Sequence, residues 1–173
     1  MPQGLAFCPM RYRLRPCDSE NELPSRYNLY NARIEEIENK KTWKPLLKNK
    51  HVAVPVQKFH EWIPTEKGKK VVQFFMPEHD IFWVAGLYDI WRNSVSGEQI
   101  ISFALLTQPP SPYILEIGHD RCPIIISKNE VTPWLTINSI ADTLSFLKKN
   151  RTYSLSHRWE DPLFSITQGA YRS

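Results

Sequence analysis

An alternating stretch in the middle of the chain constrains the fold more than any other feature. Residues 51–62 read His-Val-Ala-Val-Pro-Val-Gln-Lys-Phe-His-Glu-Trp, and valine at every second position predicts a strand with one buried face. Glu61 stands near the end of this strand. Phe59, Trp62 and Ile63 surround it in the sequence. A carboxyl group in an apolar setting can exchange a proton with a substrate near neutral pH, so Glu61 is a candidate general acid or base, unless it simply faces water at a strand end.

The same kind of pattern predicts further strands and short helices. Strands are expected at residues 71–76, 81–88, 99–107 and 153–156, the first of them joined to the preceding strand by a hairpin containing Gly68. Helical segments are expected at residues 36–50, 111–116, 127–135 and 139–149, the third of them opened by a capping box from Ser127 to Glu130. The last two have the apolar spacing of scaffold elements.

Size and composition favour one folded domain in a reducing compartment. The chain has 173 residues, of which 42% are apolar, and this is typical of a single domain with a packed core. Cys8, Cys17 and Cys122 form no Cys-x-x-Cys pair, so neither a disulfide framework nor a zinc site is indicated. No stretch has the length of a membrane span or the pattern of a signal peptide. We therefore expect a soluble cytoplasmic protein without metal or cofactor.

The net charge and an arginine-rich segment close to the N-terminus modestly favour a polyanionic partner. The formal charge is +4 and the pI is about 9.0, which favours binding to nucleic acid. Arg11, Arg13 and Arg15 alternate with apolar residues, and on an extended strand their guanidinium groups would share one face. This row is a candidate phosphate-binding track, and the alternative is the charged outer face of an edge strand.

A second polar group follows at residues 31 to 35. Asn31, Arg33 and Glu35 would share one face of an extended segment. An amide that both donates and accepts hydrogen bonds and a guanidinium group that binds phosphate suit contact with a nucleotide backbone. The alternative is a surface ion pair between Arg33 and Glu35.

His119 is the candidate partner for an acid in proton transfer. It follows Gly118 and precedes Asp120 and Arg121, between an apolar segment and a run of isoleucines. Imidazole is the side chain best suited to proton transfer near neutral pH, although a lone histidine is more often structural. Arg121 could grip a phosphate or orient His119 through Asp120.

These motifs occur in the order and spacing seen in one family, and the chain resembles the SRAP family, the SOS-response-associated peptidases that act as abasic-site sensors. The matching segments are Asn31-Ala-Arg33 with Glu35, Phe59-His-Glu61-Trp62, Ala85 to Trp91, Phe103 to Thr107 and His119-Asp-Arg121-Cys-Pro123. Tyr12-Arg-Leu14-Arg-Pro16 is also similar to that family's Trp-Gly-Leu-x-Pro segment. The resemblance covers about residues 10–135.

The resemblance implies a single α+β domain over residues 1–173, with mixed, mostly antiparallel strands curled into a pseudo-barrel and short peripheral helices. It also implies a monomer that binds single-stranded DNA with abasic sites in the DNA damage response, in the cytoplasm or, in a bacterium, at the nucleoid. In this family an N-terminal cysteine forms a thiazolidine crosslink with the ring-opened abasic site, and peptidase-like hydrolysis gives the family its name.

Site roles carried over from the family fall on residues already singled out. Asn31 would position the nucleophile or the sugar, and Glu61 and His119 would handle protons during imine formation and ring opening. Arg33 and Arg121 would hold flanking phosphates. Further DNA-binding residues would be Arg11, Arg13, Arg15 and Thr107.

The start of the chain departs from the family, which begins Met-Cys-Gly-Arg, because this sequence begins Met-Pro-Gln-Gly. Cys8 is internal and has a thiol but no free amino group. Three interpretations follow from the sequence: an active enzyme whose catalytic segment is encoded upstream, a degenerate relative that binds DNA or another protein without crosslinking, or a protein in which Pro2 forms an iminium with the abasic aldehyde.

Overall fold

The computed structural model describes residues 5–66 and 68–160. Contacts between α-carbons divide the chain into two compact units, each described by itself. Unit 1 comprises Met1–Val54, Trp83–Gln108 and Pro123–Asn150, and unit 2 comprises Pro55–Phe82, Pro109–Cys122 and Arg151–Ser173. That the whole chain is one domain stays a prediction.

The described residues contain ten strands, three α-helices and one 3-10 helix. The strands are β1 (Arg11–Tyr12), β2 (Asn31–Arg33), β3 (His51–Val56), β4 (Lys58–Thr65), β5 (Gly68–Phe75), β6 (Phe82–Arg92), β7 (Gln99–Gln108), β8 (Cys122–Pro123), β9 (Ile125–Ile126) and β10 (Ser156–Glu160). The α-helices are α1 (Pro112–Ile117), α2 (Lys128–Thr136) and α3 (Ile140–Leu147), and the 3-10 helix is Lys44–Lys48.

Unit 1 is built on a sheet in which β1, β7, β6 and β3 follow one another, with β2 also paired to β7 and β9 to β6. The strands β1 and β2 run parallel to β7, whereas β6 runs antiparallel to it. The apolar run of β6 is buried as expected, and its Gly86 allows close approach of β7. A β-carbon at Gly86 would lie 2.6 Å from the carbonyl oxygen of Ala104 and 3.0 Å from Val52.

Unit 2 is built on the antiparallel sheet β10-β5-β4, in which β4 and β5 form the expected hairpin. Its core contains Ile63, Val72 and Phe74 from the sheet together with Ile114 of α1 and Cys122. Apolar side chains from one face of the sheet therefore pack with α1.

The predicted α+β class with mostly antiparallel strands is confirmed. In the part of the chain that the structure describes, the paired strands form two sheets, and neither closes into a barrel. The capping box is also present, because the Glu130 carboxylate accepts a hydrogen bond from the Ser127 backbone at 3.0 Å. Ser139 accepts a hydrogen bond from the Asp142 backbone and caps α3.

Two strand predictions need correction. Residues 51–62 form two strands rather than one, because the chain bends at Gln57, between β3 and β4. The last strand is β10, which begins at Ser156, the residue where the predicted strand was expected to end. It pairs with β5 along its whole length, so Trp159 lies within a strand. Among the described residues, none of the helices has both the length and the apolar character needed to cross a bilayer.

Candidate functional site

Glu61 and His119 form an ion pair in unit 2. The Nε2 atom of His119 lies 2.9 Å from Oε2 of Glu61, and the two side chains are 17% and 29% exposed, respectively. Both side chains are therefore partly shielded from water. The expectation that these residues meet is confirmed, and their catalytic role stays a prediction.

Strand alternation and a glycine bring the two side chains together. In β4 the residues Phe59, Glu61 and Ile63 are less exposed than their neighbours and share the face that packs on the core, whereas Trp62 faces the other way. Helix α1 is capped at its C-terminal end by Gly118, whose φ of 103° is readily adopted only by a residue without a side chain. A β-carbon at Gly118 would lie 3.1 Å from Ile63, so glycine allows the helix end to approach β4 closely. His119 follows directly.

Both ring nitrogens of His119 face hydrogen-bond acceptors. The carbonyl oxygen of Arg121 lies 2.9 Å from Nδ1, and the Glu61 carboxylate lies 2.9 Å from Nε2. The backbone N–H of Arg121 also points at Nδ1, at the longer distance of 3.3 Å. An imidazolium satisfies the two shorter contacts because both of its nitrogens donate. The hydrogen bond to Glu61 is the main cause that raises the pKa of His119, and it outweighs the opposing effect of burial.

The pair can supply an acid and a base at the same place. Protonated His119 can donate a proton, and the Glu61 carboxylate can accept one. Arg121 holds the imidazole through its own backbone carbonyl. A role of the Arg121 side chain through Asp120 stays a prediction.

Substitution of Glu61 by glutamine should lower the pKa of His119, because the amide removes the negative charge that stabilises the imidazolium. The measurement is an NMR titration of the His119 ring proton. Since the folded pKa is raised above the unfolded value of about 6.5, the pair stabilises the fold fully below that pH and loses this contribution as the pH rises through the folded pKa.

Glu160→Gln is the matched control for this titration. Glu160 lies 3.4 Å from His60 in the same sheet and forms the other glutamate–histidine pair of unit 2 among the described residues. Its loss should leave the His119 titration unchanged. An unchanged titration in Glu61→Gln would show that the pair is not ionic in solution.

Asn31, Arg33 and Thr107 lie together in unit 1. Because β2 runs beside β7, Asn31 is opposite Leu105 and Arg33 is opposite Thr107, which places the three polar residues on one face of the sheet. Arg33 is exposed, Asn31 is partly buried and Thr107 is buried. Strand β2 ends at Arg33, so the expectation that Glu35 continues this face is wrong, because Glu35 lies in a turn.

Two exposed tyrosines beside Asn31 were not singled out from the sequence. The hydroxyl of Tyr12 donates a hydrogen bond to Oδ1 of Asn31 at 3.2 Å, and its ring stacks on Phe103 with centroids 5.2 Å apart. Tyr30 meets the Tyr12 ring edge-on at 5.1 Å. The sequence signal for Tyr30 is its position directly before Asn31. Tyr12 has no such signal, because it lies beside Asn31 only through the pairing of both β1 and β2 with β7.

The row of three arginines is not arranged as expected. Arg11, Arg13 and Arg15 converge on the carboxylate of Glu22, at 3.0, 2.8 and 3.5 Å respectively. Strand β1 ends at Tyr12, and Arg13 has a φ of 97°, so the side chains do not line up along one strand face. Burial alone would raise the pKa of Glu22, but the hydrogen bonds from Arg11 and the charges of all three arginines lower it. Their role in DNA binding stays a prediction.

Two of the three cysteines have thiols that are harder to ionise than a free cysteine. Cys8 and Cys17 are exposed, and Cys122 is buried. Burial raises the pKa of Cys122 to about 11, and that of Cys17 is also raised, by burial and by Asp89. Residues 5–66 and 68–160 contain no group of three or more His, Cys, Asp and Glu side chains arranged to hold a metal ion. Pro2 lies outside the described residues.

Comparison with known sequences identifies one family. The family model described as SOS response associated peptidase (SRAP) matches residues 2–158. "Abasic site processing protein YobE" of Bacillus subtilis is 28% identical over 121 residues, which is 69% of this chain and 53% of that relative. "Abasic site processing protein HMCES" of Gallus gallus is 27% identical over 148 residues, which is 73% of this chain and 44% of that relative. The chain thus spans about half the length of these curated relatives.

Solved structures share the fold. A protein from Bacteroides thetaiotaomicron superposes with a TM-score of 0.79 at 23% identity, covering 91% of this chain and 70% of that one. A protein from Bordetella bronchiseptica superposes with a TM-score of 0.73 at 22% identity, covering 88% of this chain and 76% of that one.

Proposed function

Since the chain belongs to the family of SOS response associated peptidases (SRAP), we propose that it binds single-stranded DNA at abasic sites and processes them through a covalent protein–DNA crosslink. The observation that carries the proposal is the contact of 2.9 Å between Glu61 and His119, the two residues to which the family resemblance gives the proton transfers. The names of the relatives, abasic site processing proteins, support the same substrate.

The chemistry assigns one proton transfer to each partner of the pair. A ring-opened abasic site carries an aldehyde, and an amine that adds to it gives a carbinolamine, which loses water to form an imine. Glu61 accepts the proton that the amine releases, and His119 donates a proton to the departing hydroxyl group. The hydrogen bond to Glu61 raises the pKa of His119, which favours the protonated form of this acid.

The nucleophile decides how the reaction ends. With an N-terminal cysteine, as the resemblance implies, the thiol adds to the imine and closes a thiazolidine. With Pro2 as the nucleophile, the reaction stops at an iminium. Residues 1–4 lie outside the described residues, so both forms of the nucleophile stay predictions.

We assign DNA contacts to each unit by itself. In unit 1, exposed Arg33 contacts a phosphate, and Asn31, held by the Tyr12 hydroxyl, contacts the sugar. In unit 2, the partly buried Arg121 contacts a second phosphate. Backbone contacts of this kind predict binding that depends on ionic strength, because neutralised phosphates release counterions.

The test of binding is an anisotropy titration of a labelled single strand with one abasic site, repeated over a range of salt concentrations. Affinity should fall steeply with salt, and Arg33→Gln should reduce the slope of log K against log salt by about 0.7, the value for one phosphate contact with a single strand. Arg92→Gln is the matched control, because Arg92 is also exposed and lies at the opposite end of β7, about 26 Å away at 3.3 Å per residue. Equal slopes for the two variants would contradict the role of Arg33.

The test of chemistry is incubation of the protein with the same strand, with and without borohydride. An adduct that forms without borohydride supports a thiazolidine, and one that requires borohydride supports the imine or iminium. Binding without any adduct would overturn the catalytic part of the proposal and favour the degenerate DNA-binding relative. Absence of both binding and adduct would overturn the whole proposal and favour a protein-interaction domain.

A further inference from the structure

Three arginines in unit 1 direct their guanidinium groups at one carboxylate. Arg11 donates two hydrogen bonds of 3.0 Å to Glu22, one to each carboxylate oxygen. Arg13 approaches one of these oxygens at 2.8 Å, and Arg15 approaches the other at 3.5 Å. We call Arg11, Arg13 and Arg15 the arginine cluster. Its three positive charges share one negative charge, because Glu22 is the one acidic group paired with them among the described residues.

We propose that the arginine cluster is a binding site for a phosphomonoester, the phosphate group at the end of a nucleic-acid strand or on a small molecule. Glu22 occupies this site until the ligand displaces its carboxylate. The inference goes beyond the proposed function, because a phosphomonoester can bind here whether or not the protein processes abasic sites. Under the proposed function, the source of the phosphate is the end of a DNA strand.

The charge of the arginine cluster favours a phosphate with two negative charges. A phosphodiester inside a strand carries one charge, as the Glu22 carboxylate does, so exchanging one for the other leaves two positive charges unbalanced. A phosphomonoester carries about −1.5 to −2 charges at pH 7 and has three strong acceptor oxygens. It therefore gains an electrostatic attraction that a diester lacks.

The arginine cluster also has donors that Glu22 does not satisfy. The Nε atoms of all three arginines are buried and have no hydrogen-bond acceptor among the described residues. A carboxylate presents two oxygens, whereas a phosphomonoester presents three, so the phosphate brings a further acceptor to the cluster. Buried donors without partners are unfavourable, and this shortage of acceptors therefore points to a ligand.

Contacts other than Glu22 hold the two inner arginines in place. Arg15 lies over the ring of Trp91, with its guanidinium carbon 3.3 Å from the ring centroid. Arg13 donates a hydrogen bond to the carbonyl oxygen of Leu23. A site whose donors are already fixed loses little conformational entropy when it binds a ligand.

Solvent reaches the arginine cluster from the side of Arg11 and Glu22. These two side chains are 37% and 41% exposed, whereas those of Arg13 and Arg15 are 14% and 10% exposed. Glu22 lies in the loop between β1 and β2, so its carboxylate can turn into water without opening the core. Access from one side suits a terminal phosphate, which has one ester bond, better than a phosphate inside a strand, which continues in two directions.

The first experiment measures the binding of methyl phosphate, a phosphomonoester, to the full chain by isothermal titration calorimetry. Dimethyl phosphate is the matched diester. Methyl phosphate should bind the wild type more tightly than dimethyl phosphate does, because it carries the second charge. Equal affinities for the two esters, or no binding of either, would overturn the site and leave the arginine cluster as a fastening for the loop.

Removal of the competing carboxylate should strengthen binding. Glu22→Gln should raise the affinity for methyl phosphate by about 10-fold or more, the effect expected of one hydrogen bond to a charged group. Glu20→Gln is the matched control, because Glu20 is exposed in the same loop but meets Arg15 through its backbone carbonyl rather than its carboxylate. Equal affinities for Glu22→Gln and the wild type would show that Glu22 does not occupy the site, which contradicts the proposal.

Removal of one arginine should weaken binding. Arg11→Gln should lower the affinity for methyl phosphate by about 10-fold or more. Arg26→Gln is the matched control, because Arg26 is exposed in the same loop and lies over Tyr27. Thermal unfolding checks the fold of each variant. A measurement that needs no substitution is NMR of wild-type protein with ¹⁵N-labelled arginine, in which methyl phosphate should shift the Nε–H signals of the arginine cluster and leave that of Arg26 in place. Unshifted cluster signals would overturn the site.

A pair of DNA strands identifies the source of the phosphate. The affinity for a labelled single strand with a terminal phosphate is compared with that for the same strand with a terminal hydroxyl. Tighter binding of the phosphorylated strand that is lost in Arg11→Gln assigns the site to a strand end. Equal binding of the two strands, with methyl phosphate still bound, assigns the site to a small phosphomonoester. Binding of methyl phosphate without binding of any single strand would overturn the proposed function and leave the site standing.

Discussion

Replacement of Glu61 by glutamine should slow adduct formation at an abasic site by about 100-fold or more, while the Kd for the same strand stays nearly unchanged. The carboxylate is the base of the proposed pair, and removal of a positioned acid or base typically costs about 10²- to 10⁴-fold in rate. Glutamine keeps the size and an oxygen for the contact of 2.9 Å to His119, so the fold of the site should survive. The measurement is the single-turnover rate of adduct formation at saturating protein, with Kd from anisotropy.

His119→Gln should slow adduct formation by a similar factor. The pH dependence of the wild-type rate identifies His119 as the acid. Because Glu61 raises the pKa of His119, the wild-type rate should fall as the pH rises through that raised value. In Glu61→Gln the fall should begin at lower pH. Glu160→Gln, which removes the other glutamate–histidine pair of the sheet, should keep the wild-type rate. If Glu61→Gln and His119→Gln weakened DNA binding by the same factor as they slowed adduct formation, the pair would maintain the shape of the site rather than take part in its chemistry.

The acid–base pair was predictable because each partner carries a local signal. Glu61 places a carboxylate among apolar residues, and His119 follows a glycine at the end of a helical segment. What the sequence does not contain is the distance between them. That distance depends on the absence of a β-carbon at Gly118 and on its packing against Ile63, which belong to distant parts of the chain.

The arginine row shows the opposite case. Alternation of Arg11, Arg13 and Arg15 with apolar residues predicts a strand. In the structure, however, all three side chains form ion pairs with Glu22 in the following loop. A single carboxylate in an irregular segment has no periodicity, so its role as a shared partner cannot be derived from spacing. The arginines thereby become part of a local ion network.

The strand boundaries were also beyond local reasoning. The bend at Gln57 carries no glycine or asparagine, and its local signals are weak: Pro55 two residues earlier, and apolar residues that stand at even positions up to Val56 and at odd positions from Phe59. Likewise, the segment around Trp159 has no clear alternation and becomes a strand through its pairing with β5. In both places a long-range partner, rather than the local sequence, determines the structure.

Acid should destabilise the protein through His51, with a loss of about 3 kcal/mol in unfolding free energy between about pH 7.5 and pH 4. Burial lowers the pKa of His51 from 6.5 to about 4, and each tenfold change in proton affinity corresponds to about 1.4 kcal/mol. The sign follows from proton uptake: as the pH falls below about 6.5, the unfolded chain binds a proton that folded His51 rejects. The stabilisation is therefore complete above that pH and is lost as the pH falls towards the folded pKa of about 4.

The packing of His51 explains why the neutral form is required and how to test it. The ring is 5% exposed and lies 4.3 Å from the Trp134 ring, and its Nε2 lies 3.1 Å from the hydroxyl of Thr143, which donates to the Leu47 carbonyl at 2.7 Å. Urea unfolding at several pH values should show a clearly smaller acid loss for His51→Gln than for the wild type. His79→Gln, at an exposed site, should keep the wild-type slope. Equal slopes for His51→Gln and the wild type would mean that other groups cause the acid sensitivity.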